Sequence, residues 1–305
     1  MKIFVAGATG VVGRRAVRAL VEAGHEVTGV ARSEEKAELL RGLGATPAPV
    51  DVFDPGALKE AVAGHDVVIN LATHIPPVSK AALPGAWNEN ARLRTEGATN
   101  LADAALAAGA GRYIQESIAF SYPDSGDRWL DEDTPLDMPA FGESVGVAEA
   151  QAARVTEAGA VGVVLRFGQF YAAEAAHTLA MAKAARRRLS PAMGPADGYL
   201  ASIHAEDAGR AVVAALDAPA GTYNVTDDEP VTRAEFDQIV AKALGVKPPR
   251  RVPPALAKAG GSKMRFLTRS QRVTNRRFKE ATGWSPTYSS IREAWSAIAR
   301  ELPED

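Results

Sequence analysis

The sequence predicts an α/β protein, a doubly wound parallel sheet followed by a smaller C-terminal substrate-binding region. Three observations carry that prediction. Short β-branched runs alternate with longer Ala/Leu/Glu stretches up to Arg166, the pattern left by helices crossing over a parallel sheet. A glycine-rich run, GATGVVG, stands where the first strand pattern gives way to the first helical one. Beyond Arg166 the alternation breaks, which divides the chain into residues 1–168 and 169–305, the second part partly interleaved with the first.

The strands read as Lys2–Ala6, His25–Ala31, Thr46–Val50, Asp66–Leu71, Arg112–Ile118 and Val161–Arg166. Asp54-Pro55 offers a helix N-cap with proline at the first helical position, and Gly24 and Gly109 end their helices without a Cβ penalty. In the second part the pattern gives a helix over Ala173–Arg188, a short strand near Ile203, a helix over Ala208–Leu216 and a strand over Thr222–Val225. The strand near 203 and the helix after it are the segments expected to return to the main sheet. Thr232 with Glu235 forms a capping box for a helix ending near Gly245, and Ser290 with Glu293 starts the last helix.

Composition narrows the function classes. The chain of 305 residues is 46% hydrophobic, carries a formal net charge of -2 and contains no cysteine. Disulfide frameworks, thiolate metal sites and cysteine nucleophiles are thereby excluded. Near-neutral charge gives no general attraction to nucleic acid or anionic membrane. No apolar run approaches the ~18 residues that cross a bilayer, and the chain opens on a strand without a charged leader, so a cytoplasmic protein is expected.

GATGVVG places Gly7, Gly10 and Gly13 at the strand-to-helix turn of a Rossmann-type unit. Glycine there permits a tight turn, close approach of backbone to a pyrophosphate, and close helix-to-strand packing, with Thr9, Val11 and Val12 completing the turn. The second strand then runs into Ala31-Arg32-Ser33 with no carboxylate until Glu34. A ribose 2'-hydroxyl wants a carboxylate at that point, whereas a 2'-phosphate wants a cation. Arg32, followed by Ser33, and Arg14 supply cations, so NADP(H) is preferred over NAD(H); the alternative is that both are solvated surface arginines.

Asp51-Val52, Asn70-Leu71-Ala72, RTEGATNL, LRFGQFY at 165–171, SIHAEDAGRAVVAAL at 202–216 and TGWSP at 282–286 follow in order along nearly the whole chain. With the glycine turn, they resemble the extended short-chain dehydrogenase/reductase superfamily, which includes nucleotide-sugar epimerases and dehydratases. The resemblance implies cofactor contacts from Asp51, Val52, Leu71, Ala72 and Thr73. It implies a substrate pocket at Ile118, Phe141, Val145, Phe167, Gly168 and Tyr171. It also implies a homodimer formed through helices 87–108 and 141–158.

The family's proton relay is a Ser or Thr with a Tyr-x-x-x-Lys pair. Here Phe141 stands at the tyrosine position and Val145 at the lysine position, while Ile118 takes the hydroxyl position and Ser117 precedes it. Arg94 replaces an asparagine common before the Glu-Gly pair. The usual relay therefore cannot operate, and losing a positioned general acid costs ~10²- to 10⁴-fold.

Three residues are candidate replacements: Tyr122, whose alternative is packing; His74 in the loop after the fourth strand, whose alternative is surface hydrogen bonding; and Ser117. Glu116 is unusual in a strand buried on both faces and calls for a partner, with Arg94 and Arg166 as the options. Glu143 and Ser144, in the first turn after Phe141, are candidates to face the substrate, though helix-terminal charge complementarity explains Glu143 equally well. His204-x-Glu206-Asp207 lacks the spacing of a helical metal pair, Asp207 better serving the following helix, and no metal is expected.

Lys247–Lys279 holds eleven Lys or Arg and no acid. Either it meets an acidic small-molecule substrate or it is a basic edge balanced by acids elsewhere; no stacking platform for nucleic acid accompanies it. The leading function is an NADP(H)-dependent oxidoreductase acting on a small, largely apolar substrate (activated C=C, C=N or C=O) with a non-standard proton donor. The alternatives are a redox-neutral epimerase, dehydratase or cyclase with bound NAD(P), and a non-catalytic NADP(H)-sensing regulator.

Overall fold

The computed structural model describes residues 1–76, 83–137, 142–251 and 268–303. Its strands are β1 Lys2–Ala6, β2 Glu26–Val30, β3 Thr46–Ala48, β4 Val67–Asn70, β5 Arg112–Ile118, β6 Trp129–Leu130, β7 Val161–Phe167, β8 Gln169–Tyr171, β9 Tyr199–Leu200, β10 Ser202–His204, β11 Gly221–Val225, β12 Val231–Thr232 and β13 Arg272–Val273. Seven of them form one sheet in the order β11-β7-β5-β4-β1-β2-β3, every neighbouring pair parallel. The order reverses between β1 and β4, which opens a crevice at the carboxyl ends of the strands.

The helices sort onto the two faces as their apolar stripes dictate. Helix α1 (Gly13–Glu22) buries Gly13, Ala16, Val17 and Leu20, the i, i+3, i+4, i+7 spacing of one face, and packs on α8 (Ala205–Ala214). Helices α2 (Glu34–Gly42) and α3 (Pro55–Val62) follow β2 and β3, α3 capped by the Asp54 carboxylate, which accepts from Gly56 and Ala57 N–H. The opposite face is covered by α3, α5 (Ala98–Ala107) and α6 (Gly142–Glu157), with Leu58, Leu101, Tyr113, Ala152 and Val155 in its core.

The helix expected over 87–108 is three pieces. Helix α4 (Asn88–Arg92) runs into a π-helical turn at Leu93–Gly97 before α5. Such turns insert a residue into the helical ladder and concentrate at functional sites. At Gly97 this turn faces Val52 and Phe53 with room for a Cβ at ordinary contact distance, and the Asn100 amide donates to the Val52 carbonyl.

The strand near Ile203 does not return to the main sheet. β10 pairs with β8 in a two-stranded sheet, and it is β11 that adds to the edge of the main sheet beside β7. The helix expected to start at Ala173 begins at Ala176, as α7 (Ala176–Arg186). A separate core of Tyr171, Phe236, Val240, Trp295 and Ile298 joins α7, α9 (Arg233–Ala243) and the last helix α11 (Ile291–Glu301), with α10 (Arg276–Thr282) packed near β11. The capping box of Thr232 with Glu235 is formed, and Ser290 caps α11.

Candidate functional site

The glycine turn is shaped by its own backbone. Gly7 sits at φ +77°, and a Cβ there would meet the Leu71 carbonyl carbon at 2.4 Å. At Gly13 a Cβ would fall 2.0 Å from the Gly7 oxygen. Both glycines are therefore demanded by packing. Gly10 differs: a Cβ there meets only the Gly7 oxygen, at 3.3 Å, and the residue is exposed. Helix α1 has no side-chain cap at Val12 and no acid in its first turn. Its orphan N–H groups and dipole are thus left for an outside anion, the arrangement a pyrophosphate needs.

Around this turn lie the other expected contacts. Leu71 and Ala72 pass directly behind Gly7, and Thr73 is exposed. The Asn70 side chain fixes that loop, accepting from Ala72 N–H while its amide donates to Gln115. Asp51 turns the chain after β3 by accepting from Phe53 N–H, and Val52 is buried behind it. Ser33 caps α2.

The two candidate arginines part company. Arg32 is 55% exposed and its guanidinium lies 3.8 Å from the Asp51 carboxylate. Arg14 is paired with Glu174, which also holds Arg15 at 2.6 Å. Arg14 is thus engaged by a carboxylate at short range, whereas the nearest carboxylate to Arg32 stands 3.8 Å away. Glu174 was the missing signal: it stands in the second part of the chain, and nothing local in the sequence ties it to α1.

Beneath the carboxyl edge runs a buried polar row. Ser117 on β5, Arg166 on β7 and Asn224 on β11 are register partners, so their side chains share one row of the sheet. Glu149 of α6 closes over them: Ser117 Oγ donates at 2.6 Å, while Arg166 Nε and Nη2 form a fork at 2.9 and 2.7 Å. Arg166 Nη1 donates to the Tyr122 hydroxyl at 2.9 Å, which in turn donates to Asn224 Oδ1 at 2.8 Å. Sequence reasoning missed Glu149. The available signal was a carboxylate one helical turn after Val145, facing a buried strand arginine.

Glu116, on the same strand as Ser117, takes Arg94 of the π-helical turn as its partner, and Arg166 takes Glu149. The Arg94–Glu116 pair is almost enclosed, with side chains 3% and 7% exposed. Burial pushes the Glu116 carboxyl above its usual range even with the arginine beside it.

Several expected site residues belong to the core. Phe167 is buried against Phe170, and a Cβ at Gly168 would strike the Ser202 backbone, so both serve the β7–β8–β10 junction. Tyr171 is buried with its hydroxyl on Asp227. Val145 is enclosed on the inner face of α6. Of the expected pocket residues, Ile118 is half-buried at the end of β5, and Phe141 lies outside the described residues. His74 is exposed, its N–H donating to Asn90 and its ring 3.7 Å from Glu89. Glu143 is exposed and Ser144 buried.

Tyr122 is fully enclosed, and burial raises its phenol further out of reach of proton transfer. The geometry thus favours the packing alternative. Tyr122→Phe should keep wild-type turnover and cost about 1–3 kcal/mol of stability, since Asn224 and Arg166 lose a partner. Turnover falling with an unchanged melting temperature would return the residue to the reaction.

His204 is the N-cap of α8, its ring accepting from Glu206 N–H, and Asp207 accepts from Thr287 and Tyr288 N–H. Among the described residues of the basic run, Arg251 pairs with Asp237, Arg269 with Asp137, Arg277 with Asp133 and Lys279 with Asp228. Arg272 lies over the rings of Trp129 and Tyr199. These side chains are engaged by acids and aromatic rings of the fold, which favours the balanced-edge alternative.

A reversed parallel sheet, a glycine turn at its first crossover and an open helix N-terminus together define a dinucleotide-binding protein. A family model described as NAD(P)H-binding matches residues 7–219. The chain is 38% identical to 3-diazoavenalumate denitrifying reductase of a Streptomyces species, over 96% of this chain and 98% of that protein. It is 27% identical to 2-alkyl-3-oxoalkanoate reductase of Shewanella oneidensis, over 85% and 70%. A human epimerase family protein solved with NADPH superposes with TM-score 0.81 at 26% identity, covering 99% and 100% of the two chains. The UDP-glucose 4-epimerase of Thermotoga maritima, at TM-score 0.78 and 19% identity over 99% and 98%, is alike in fold. The chain belongs to the NAD(P)H-binding family of the extended short-chain dehydrogenase/reductase superfamily.

Proposed function

We propose that the protein is an NADP(H)-dependent reductase of small, largely apolar acceptors whose reduction needs no proton from the enzyme, an aromatic diazo (diazonium) group lost as N2 being the type case. The absence of a phenol–ammonium pair carries the proposal: Phe141 and Val145 occupy its positions, Val145 is enclosed, and Tyr122 is locked between Asn224 and Arg166. A ketone needs both hydride and proton, and the described residues offer no placed acid comparable to the family's tyrosine. A diazonium carbon needs hydride alone, with nitrogen leaving as the C–H bond forms. The relative at 38% identity is by name a denitrifying reductase of a diazo compound, which supports the same chemistry here.

The dinucleotide, when bound, supplies the hydride. The chain's part is positioning. Gly7, Gly10 and Gly13 with the N-terminus of α1 would hold the pyrophosphate, Arg32 the 2'-phosphate, and the 71–73 loop would back the nicotinamide end, with Ile118 at the sheet edge facing the acceptor's apolar body.

The test is NADPH consumption against an arenediazonium ion, with N2 and arene formed one for one. Deuterium carried at C4 of the dihydronicotinamide should appear in the arene. Because no enzyme acid donates, kcat/KM should stay flat between about pH 6 and 9, apart from ionisation of the acceptor itself. A bell-shaped profile, or ketones reduced while diazonium ions are not, would overturn the proposal. Arg32→Ala should weaken NADPH about 10- to 100-fold and leave NADH unchanged, as loss of one charge-assisted phosphate contact requires. Equal losses for both dinucleotides would remove Arg32 from the 2'-phosphate.

A further inference from the structure

The Arg94–Glu116 pair is incomplete as it stands. Arg94 Nη2 donates to Glu116 Oε1 at 2.9 Å and lies 2.9 Å from Oε2, but among the described residues neither Oε2 nor Arg94 Nη1, equally enclosed, has a hydrogen-bond partner. An enclosed guanidinium N–H without an acceptor is costly, and a protein retains one where something else arrives to accept from it.

The pair's place in the fold identifies the kind of visitor. Asn70 is the last residue of β4 bonded to β5, opposite Gln115, so Glu116 lies one step beyond it beside Leu71, whose backbone packs against Gly7 of the glycine turn. Ile118, at the sheet edge, shares the face of β5 that bears Glu116. Arg94 comes from the π-helical turn Leu93–Gly97, whose last residue faces Val52 and Phe53 of the segment after β3. The unsatisfied donor is thus built into the carboxyl edge of the sheet, between the dinucleotide turn and the acceptor position.

We propose that Arg94, with Glu116, receives a carboxylate of the acceptor, so that the preferred substrates are small aromatic acids. Arg94 Nη1 donates to one carboxylate oxygen, with the unpartnered Glu116 Oε2 beside it; burial pushes the Glu116 carboxyl up, which lessens the repulsion between the two acids. The acidic character expected of the substrate thereby moves from the basic run at 247–279 to a single buried arginine. The proposal rests on the reductase reading for its acceptor, but binding tests it separately.

The experiment uses the NADP⁺-loaded protein and benzoate as probe, with benzamide as the uncharged control, followed by calorimetry. Removing Arg94 alone strands a buried carboxyl, so the variants are Glu116→Gln and the charge-free double variant Arg94→Gln/Glu116→Gln, each checked by thermal melting. Benzoate should bind the wild type more tightly than benzamide. The double variant should lose about 10- to 100-fold of benzoate affinity and none of benzamide affinity, while Glu116→Gln should bind benzoate at least as well as wild type. Turnover of 3- and 4-carboxybenzenediazonium should fall in parallel, with unsubstituted benzenediazonium unaffected. Benzoate affinity unchanged in a folded double variant, or no benzoate binding by the wild type, overturns the site and leaves Arg94 satisfied by water alone. Benzoate binding that depends on Arg94 with no reduction of any diazonium ion upholds the site and overturns the reaction.

Discussion

Gly13→Ala is expected to lose both dinucleotide binding and thermal stability, whereas Gly10→Ala should lose only the dinucleotide. The added carbon at position 13 would lie 2.0 Å from the Gly7 oxygen and 2.9 Å from the Ala8 carbonyl carbon. Both obstacles are backbone, so no side-chain rotation relieves the clash. Either α1 lifts from β1, opening the core around Ala16, Val17 and Leu20, or the turn itself reshapes. Overpacking of this kind costs about 1–3 kcal/mol or more. Helix propensity alone argues the opposite way, since alanine is favoured over glycine inside a helix by about 1 kcal/mol. A destabilised Gly13→Ala therefore measures the close approach rather than the helix. At position 10 the methyl meets one oxygen at 3.3 Å, and the chain has room to adjust. Its remaining side is open, on the surface that a pyrophosphate would cover. The melting temperature of Gly10→Ala should match wild type, while NADPH affinity, followed by cofactor fluorescence, should fall by about 10- to 100-fold, the loss of contacts to a charged group. Wild-type affinity in Gly10→Ala would mean that the dinucleotide does not lie on this turn.

That contrast shows what local sequence conveys and what it omits. GATGVVG is legible because turn, strand end and helix start are adjacent in the chain and each glycine answers a local steric demand. The run at Val161–Arg166 is legible for a similar reason, being buried and almost wholly apolar, while Arg112–Ile118 is legible only from its place in the alternation, since four of its seven residues are polar. Long-range pairing is not legible in that way. Arg14 read as a phosphate ligand because its sequence neighbours are the glycine turn; its actual neighbour is Glu174, 160 residues away. Phe167 and Tyr171 read as pocket residues because the motif places them after a strand end. The added strand β10 turns that stretch inward, and their side chains become core. The strand near Ile203 was the one expected to join the main sheet, yet it is the strand over Gly221–Val225 that docks, and periodicity cannot say which of two short strands does so. Glu116 was the exception: a carboxylate in a doubly buried strand demands a cation, and Arg94 was one of the two available.

Arg166→Met should be the most destabilising of the charge substitutions, and pairing it with Glu149→Leu should recover most of the loss. The two side chains are 8% and 13% exposed, so solvent screens their fork very little. Removing the arginine leaves Glu149 with Ser117 Oγ as its remaining donor in the row, and removes a donor from the Tyr122 hydroxyl. An uncompensated buried charge of this kind costs about 3–5 kcal/mol. At roughly 2–4 °C per kcal/mol for a chain of this size or a little smaller, the melting temperature should fall by about 10 °C. The double variant removes both charges and fills the space with apolar groups, a replacement that is often neutral or even favourable. Its melting temperature should therefore stand well above that of Arg166→Met. If the two losses simply add, the fork contributes nothing as a pair, and β5, β7 and β11 are held by their ladders and apolar contacts alone. The function of the row can be read from the same proteins. Ser117 and Arg166 are both bonded to Glu149, and Asn224 Oδ1 accepts from the Tyr122 hydroxyl, so these bonds of the row close within the fold. A folded double variant should accordingly reduce a diazonium acceptor at close to the wild-type rate, since hydride delivery asks only that the sheet edge keep its shape.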